Sequence, residues 1–369
     1  MSTLYFLPWC RLQKPYSIGD FTLLPLSRNK QSAVLNPTDV KSVLSILDHF
    51  CDLEEQPVSE FTVALCSSRG LLADLPNEES ASLQEFVAIA CFSALADRDF
   101  ECEHGRWSNG DCFRLHSCSW SDSFSADNAF RTKRRDGRFV LQGGFPVRYH
   151  RPIHTAVVDK IALPEELLGA LWNARQNWKV DEWQKWREAI VTFIRANSES
   201  QDISWRVDWV LMCSAFQRIL GKPTKATHKK AETVNEFSRH VSKPAKRLSI
   251  DAEILCEWLG EFCALRGDFA HGKRHSSQPR KWSDDQTHLS VAAIAFPLLV
   301  RLLLEEQKLY TAGTEDYAAL AALPLFLQQE RDSLLQRHDW WRIVLDQKLE
   351  VAIKLGLQEA GIGDNGTDR

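Results

Sequence analysis

The sequence lacks the features that mark membrane and secreted proteins. No apolar run reaches the roughly 20 residues that a membrane-spanning helix needs, and the best candidate, residues 289–304, contains Pro297 and Arg301. Residues 1–9 have neither a basic start nor a long apolar stretch, so no secretory signal is expected. We therefore predict a cytoplasmic protein, with no membrane partner, in which residues 289–304 form a buried core helix.

An excess of positive charge is also missing. The formal net charge is −4, so any affinity for nucleic acid must come from a local patch. The ten Cys are scattered, without the dense framework of a small disulfide-rich domain, and are expected to be reduced. No Gly-rich phosphate loop and no internal repeat occurs.

The first half of the chain has mixed character. Apolar runs at residues 4–7, 21–26 and 61–66 predict strands, and helical spacing is found at 40–50 and 80–96. Short β-like pieces follow at 112–115 and 139–141. We predict an α+β domain of unassigned role over residues 1–155.

The second half is predicted to be helical, which makes the protein mainly α overall. An all-α bundle is expected over residues 160–310, further helices packing on it over 311–360, and a frayed polar tail at 361–369. Residues 203–220 are apolar nearly all round, as in a helix packed on several sides. The helices are predicted near 164–177, 181–197, 203–220, 229–243, 250–266, 286–308 and 315–355, the last broken around Pro324.

One segment, residues 264–273, combines residue types with a chemical use. It closes an apolar helix and places Arg266 about one turn before His271. Histidine can move protons near neutral pH, and the arginine fork binds phosphate oxygens in pairs. Because RNA supplies its own 2′-hydroxyl nucleophile, such a pair could cleave RNA without a metal or other cofactor.

This pattern resembles the Arg-x4–6-His signature of HEPN domains, and residues 269–272 (Phe-Ala-His-Gly) resemble the Apea-like branch. The resemblance covers about residues 185–310. It implies a helical bundle that dimerises so that two Arg-His pairs form one endoribonuclease site, as in toxins, antiphage-defence effectors and stress ribonucleases. Two positions depart from the family pattern, Gly267 after the Arg and Gln217 in the first long helix.

The resemblance implies an endoribonuclease with catalytic Arg266 and His271, and RNA-binding roles fall to Asp268, Lys273 and Arg274. The alternative is a catalytically inactive HEPN dimer that binds RNA or protein as a sensor, with the two residues only capping the helix. Residues 222–248 carry eight Lys or Arg against two Glu, which favours RNA contact or else forms a solvated face. The N-terminal domain could recognise a phage or host protein.

Two other groups of residues have ambiguous patterns. The basic turn at residues 131–138 could contact RNA or a partner, or simply be a solvated hairpin. A candidate zinc set lacks the Cys-x2-Cys spacing of established zinc sites, so strand and loop positions are the simpler interpretation. Its members are Cys102, His104, Cys112, His116 and Cys118.

Overall fold

The computed structural model describes residues 2–29, 35–52, 54–97, 110–121, 130–133, 139–142, 148–151, 160–198, 204–221, 229–270, 280–282, 285–332 and 340–359. These residues form two compact units. The N-terminal unit contains the described residues up to Trp172 together with Ser198, and the helical unit contains the others. The division falls inside one helix, Glu165–Asn177.

An antiparallel sheet is the framework of the N-terminal unit. Its strands are β1 (Ser2–Leu7), β2 (Tyr16–Ile18), β3 (Phe21–Ser27), β5 (Glu60–Cys66), β6 (His116–Trp120), β7 (Phe130–Lys133) and β8 (Phe139–Gln142). They lie in the order β2-β3-β5-β1-β6-β7-β8, so the first strand of the chain is interior, with Phe6 opposite both Val63 and His116. A separate parallel pair joins β4 (Phe50–Cys51) to β9 (Tyr149–His150).

Helices α1 (Pro37–Leu47), α2 (Asn77–Ala96) and the start of α3 (Glu165–Asn177) complete this unit. Helix α1 begins earlier than predicted because the Asn36 side chain accepts a hydrogen bond from the Asp39 backbone N–H (2.9 Å) and Pro37 suits the first helical position. Phe50, predicted at the end of this helix, lies in β4. The β-like piece predicted at residues 112–115 is wrong, since Gly110–Phe113 forms a 3₁₀ turn.

The sheet and α1 share one apolar core. Alternate residues of β1, Leu4 and Phe6, pack with residues of one face of α1, as the period of two in a strand requires. The buried members of this core are Leu4, Phe6, Trp9, Val43, Ile46, Leu47, Phe50, Val58, Phe61, Val63, Cys118 and Trp120. The chain therefore forms an α+β unit followed by a helical unit.

The helical unit contains the end of α3 and seven further helices in the described residues. They are α4 (Val180–Ala196), α5 (Trp205–Ile219), α6 (Lys229–Arg247), α7 (Glu253–Ala270), α8 (Asp285–Glu306), α9 (Thr314–Arg331) and α10 (Trp340–Glu359). Helix α5 packs on α4, α7 and α8, and α6 packs on α7 and α8. Helix α9 packs on α7, α8 and α10. Helices α5 to α8 thus form a bundle with α7 in contact with α5, α6 and α9.

Aromatic contacts show that α5 and α7 run antiparallel. Trp205 at the start of α5 lies against Phe269 at the end of α7, with ring centroids 5.2 Å apart. Phe216 near the end of α5 lies 6.3 Å from Trp258 in the first half of α7. The start of α5 and the end of α7 therefore meet at one end of the bundle.

Helix α8 is a buried core helix, as its composition predicts. Among the described residues, Thr287–Glu306 is the one stretch long and apolar enough to cross a membrane, and 78% of its most apolar window is buried inside the protein. The predicted helix break at Pro324 is wrong. Pro324 lies buried inside α9, which continues to Arg331 before α10 begins at Trp340. Packing of this face of α9 outweighs the hydrogen bond that a proline removes from a helix interior.

Candidate functional site

Arg266 lies on the side of α7 that faces the bundle core. A residue four positions after another is rotated by only about 40° around an α-helix, so Arg266 shares a face with Phe262, which is fully buried. The buried residues of α7 are Leu255, Trp258, Leu259, Phe262, Cys263, Leu265, Asp268 and Phe269. Arg266 thus projects from the side of α7 that packs in the bundle, not from its solvent-exposed side.

The Arg266 side chain lies at the boundary between the packed interior and the solvent. The side chain is half-buried, and its Nε is buried without a hydrogen-bond partner among the described residues. Buried polar groups in folded proteins nearly always have a partner. The side chain as a whole stays partly accessible, and a permanently charged, planar guanidinium is suited to phosphate or carboxylate oxygens.

The other predicted members of the site are only partly within the described residues. Asp268 lies on α7, where its side chain is buried (8% exposed) and takes part in interactions of its own. His271, Lys273 and Arg274 lie outside the described residues. Helix α7 is described as far as Ala270, four residues beyond Arg266. The structure therefore positions the arginine and the aspartate of the predicted set.

An aromatic and cationic cluster lies beside this end of α7. The guanidinium carbon of Arg206 is 5.2 Å from the centroid of the Trp205 ring and 6.0 Å from that of Phe269. The Trp205 and Phe269 rings are nearly perpendicular, at 80°. The sequence pattern predicts Trp205 as one apolar residue of a helix packed on several sides, and the structure leaves it 37% exposed.

Trp209 fixes the position of α5 against α7 below this cluster. Its Nε1 donates a hydrogen bond to the Phe262 backbone carbonyl (2.9 Å), and the two rings stack with centroids 4.8 Å apart. The Trp209 side chain is fully buried. This anchor holds the start of α5 in register with the part of α7 that carries Arg266.

Glu261 anchors the chain that leads into α8. One carboxylate oxygen accepts a hydrogen bond from the Lys281 backbone N–H (2.7 Å), and the other accepts from the Trp282 N–H (3.2 Å). The second oxygen also lies 3.2 Å from Nε2 of His288, which is completely buried. No local sequence pattern predicts this Glu–His contact, because 27 positions separate the two residues.

Electrostatics at Glu261 favour the charged carboxylate. Burial alone raises the pKa of Glu261, but the hydrogen bonds from His288 and from the Lys281 and Trp282 backbone N–H groups outweigh burial and lower the pKa below its usual value. The pairing with His288 contributes in the same direction. Glu261 is therefore a structural anion of the bundle, five residues before Arg266.

The basic stretch at residues 222–248 lies mainly on α6. Its members Arg239, Lys243, Lys246 and Arg247 are exposed on that helix. Arg239 forms an ion pair with Glu236 (2.9 Å), and the Arg247 guanidinium lies over the Tyr317 ring at 5.7 Å. Part of the stretch is thus engaged within the protein, and part is a solvated cationic face.

The candidate zinc set has only three members within the described residues. Cys112 lies in the 3₁₀ turn, and His116 and Cys118 lie in β6, while Cys102 and His104 lie outside the described residues. Over the described ranges, no three His, Cys, Asp or Glu side chains are grouped closely enough to hold a metal. The tract at residues 131–138 has only its backbone at 131–133 described, in β7.

His116 and Cys118 have the properties of core residues. The His116 ring lies 4.9 Å from the Phe50 ring and 5.7 Å from the Trp9 ring. Burial, with a smaller effect from Arg114, lowers the pKa of His116 to about 3. Burial raises the pKa of the Cys118 thiol to about 12. The imidazole is therefore neutral and the thiol protonated near neutral pH.

Comparison with protein-family models, curated proteins and solved structures finds no match to this chain. The chemistry available at the end of α7 is therefore the basis for assigning a function. That chemistry is a half-buried arginine whose Nε has no hydrogen-bond partner in the part of the chain that the structure describes, three residues before the Phe269 ring that an exposed tryptophan and a second arginine contact.

Proposed function

We propose that the chain is a metal-independent endoribonuclease of the HEPN type, with its site at the end of α7. The observation that carries this proposal is the half-buried Arg266, whose Nε has no hydrogen-bond partner among the described residues. It is located on the core-facing side of the helix whose sequence continues into His271. The antiparallel packing of α5 and α7 in a helical bundle supports the same proposal.

In the proposed reaction the RNA supplies the nucleophile. The His271 imidazole takes the proton of a 2′-hydroxyl, and the 2′-oxygen forms a bond to the adjacent phosphorus. The bond from phosphorus to the 5′-oxygen breaks, and a protonated imidazole returns a proton to that oxygen. The products are a 2′,3′-cyclic phosphate and a 5′-hydroxyl, and Arg266 stabilises the phosphorane charge that develops on the way to them.

The remaining predicted residues have supporting roles in this proposal. Lys273 and Arg274 bind the RNA backbone. Because Asp268 is buried, it acts on RNA through the groups around it rather than by direct contact. Formation of a homodimer brings two Arg266–His271 pairs into one site, as the HEPN resemblance implies. The protein acts in the cytoplasm, as an antiphage-defence or stress effector.

A binding protein of the same bundle type is the second candidate. The observation that favours it is the position of Arg266 in the last turns of α7, where a cation also complements the helix dipole. In that case the bundle dimer holds RNA or a protein without turnover. The N-terminal unit then serves as the part that recognises a phage or host component.

An RNA cleavage assay separates these candidates. Purified full-length protein is incubated with total RNA in EDTA, beside His271→Ala and Arg266→Ala variants, and the RNA is resolved on a denaturing gel. We expect fragments from the wild type and none from the two variants. Arg187→Ala, at an exposed arginine of α4, is the matched control and should cleave normally. Intact RNA with wild-type protein, or equal cleavage by His271→Ala, contradicts the proposal.

A further inference from the structure

Trp205 is an exposed aromatic ring held in a fixed orientation. Among the large hydrophobic side chains that are exposed in the described residues, it is the aromatic one, with 37% of its surface accessible. The Phe269 ring packs against it edge to face, with centroids 5.2 Å apart. An amphipathic ring that is fixed by a neighbour and open to solvent can accept a stacking partner at little entropic cost.

Arg206 adds a cation to this platform. Its guanidinium carbon lies within cation–π distance of the Trp205 ring, at 5.2 Å, and of the Phe269 ring, at 6.0 Å. Its Nε is buried and has no hydrogen-bond partner among the described residues. The same unpartnered state occurs at Nε of Arg266. The Arg206 guanidinium therefore lies at the end of the α5–α7 pair whose α7 part carries Arg266.

The platform adjoins the proposed catalytic arginine. Phe269, which supports Trp205, follows Arg266 by three residues on α7. Residues at that spacing on a helix have Cβ atoms about 5–6 Å apart. A nucleotide on Trp205 is thus next to a phosphate on Arg266, which is the arrangement of neighbouring groups along an RNA strand.

We propose that Trp205 and Arg206 form a subsite for one unpaired nucleotide of the RNA substrate, with the base stacked on Trp205 and a phosphate on Arg206. This inference rests on the proposed function and specifies its substrate class. Bases in an A-form duplex are covered by their neighbours, whereas those in loops, bulges and ends can stack on aromatic rings. The substrates are therefore RNAs with single-stranded segments.

The subsite is tested by RNA binding in a background that cannot cleave. Full-length His271→Ala protein is titrated into a fluorescently labelled, unstructured oligoribonucleotide, and into a duplex of the same sequence, with anisotropy as the readout. Adding Trp205→Ala should weaken binding of the single strand about 5- to 150-fold, the usual effect of losing one base stack. Trp205→Phe, which keeps a stacking ring and tests for damage to the fold, should bind nearly as well as the parent.

A second variant measures the contribution of Arg206 to RNA binding, and a third is a control on a distant exposed side chain. Arg206→Gln should reduce the slope of log affinity against log salt by about one, the effect of losing one phosphate contact. Leu349→Ala removes an apolar side chain that is 69% exposed on α10, and it should leave binding unchanged. Binding of the duplex should be insensitive to Trp205→Ala.

The outcomes distinguish this inference from the proposed function. Equal single-strand binding by the parent and Trp205→Ala overturns the subsite, even if the wild type cleaves RNA. A change of oligomeric state in Trp205→Ala, with RNA affinity unaltered, also overturns it and assigns the ring to a protein contact. If RNA binding depends on Trp205 but the wild type does not cleave RNA, the subsite stands and the ribonuclease proposal is wrong.

Discussion

Substitution of Glu261 tests how much its hydrogen bonds stabilise the helical unit next to the proposed site. Its side chain is 10% exposed and contacts three donors, the backbone N–H groups of Lys281 and Trp282 and the buried His288 ring. Residues 280–282 follow, in the sequence, the segment that carries His271. The perturbations are Glu261→Ala, which removes the acceptor, and Glu261→Gln, which keeps one acceptor oxygen and removes the charge.

The expected loss of stability is set by the hydrogen bonds and the charge that each substitution removes. Leaving buried donors without their acceptor costs about 1–3 kcal/mol per group, and more where the lost acceptor is charged, so we expect a loss of at least about 3 kcal/mol from Glu261→Ala. Replacing the charged acceptor by a neutral one should cost about 1–3 kcal/mol in Glu261→Gln. The matched control is Glu257→Gln, one turn earlier on α7, where the carboxylate forms a more exposed ion pair with Lys281 Nζ (2.8 Å). Such pairs contribute about 0–1 kcal/mol.

Stability should also depend on pH in a defined direction. Because the pKa of Glu261 is lowered in the folded protein, its stabilisation is complete above the unfolded pKa and is lost as the pH falls through the folded value. The difference between wild type and Glu261→Gln should therefore be fully present above about pH 5.5 and shrink on acidification below about pH 4.5.

Hydrogen exchange of α7 and α8 peptides in increasing urea measures opening of the helical unit alone. A free energy of opening for Glu261→Ala within about 0.5 kcal/mol of the wild type, the range of ordinary surface substitutions, would refute the reasoning. A difference between wild type and Glu261→Gln that stays constant with pH would refute the assignment of charge.

Two further predictions concern the two units separately. Because burial lowers the pKa of His116 to about 3, the unfolded chain binds a proton between about pH 6.5 and pH 3 that the folded chain does not. The N-terminal unit should lose stability as the pH falls through this window. In hydrogen exchange of β1 and β6 peptides, His116→Phe should make the free energy of opening less dependent on pH. The same pH dependence in the variant and the wild type would contradict this. In the helical unit, Trp209→Phe loses the hydrogen bond to Phe262 and part of the ring, and should cost about 1–3 kcal/mol. Val207→Ala, at a residue 45% exposed, should stay within about 0.5 kcal/mol in the same exchange measurement.

The helices of the bundle could be predicted from sequence because their apolar stripes are long and their ends are marked. In α5 the predicted range 203–220 compares with an observed Trp205–Ile219, and Ser204 accepts a hydrogen bond from the Arg206 N–H at its start (3.4 Å). In α4 the buried residues recur every three or four positions: Trp183, Trp186, Ala189, Ile190 and Phe193. Local periodicity and capping are enough to define such elements.

Features that depend on distant packing could not be predicted in this way. A proline predicts a break, but the burial of Pro324 in α9 depends on packing that periodicity does not reveal. The exposure of Trp205 depends on which side chains of other helices pack against it, and Phe269 of α7, which does so, lies far away in the sequence. The contact of Glu261 with His288 joins two helices whose relative register no local pattern specifies.

Local sequence predicts one part of the candidate site, and packing between helices determines the other. The sequence pattern places Arg266 near the end of an apolar helix, and the structure confirms that position on α7. The pattern does not indicate that the arginine faces the core with an Nε lacking a hydrogen-bond partner within the described ranges, nor that Arg206 approaches the same end of the bundle. Those features arise from the antiparallel packing of α5 on α7.

The most direct test of the central claim is the chemistry of the cleaved ends. Wild-type protein in EDTA is incubated with an all-ribose oligonucleotide and with the same sequence carrying 2′-O-methyl groups, and the products are identified by mass spectrometry. We expect a 2′,3′-cyclic phosphate and a 5′-hydroxyl from the ribose substrate, no cleavage of the methylated one, and no products from His271→Ala. Cleavage of the methylated RNA, or 3′-hydroxyl and 5′-phosphate ends, would contradict a role for Arg266 and His271 in attack by the 2′-hydroxyl.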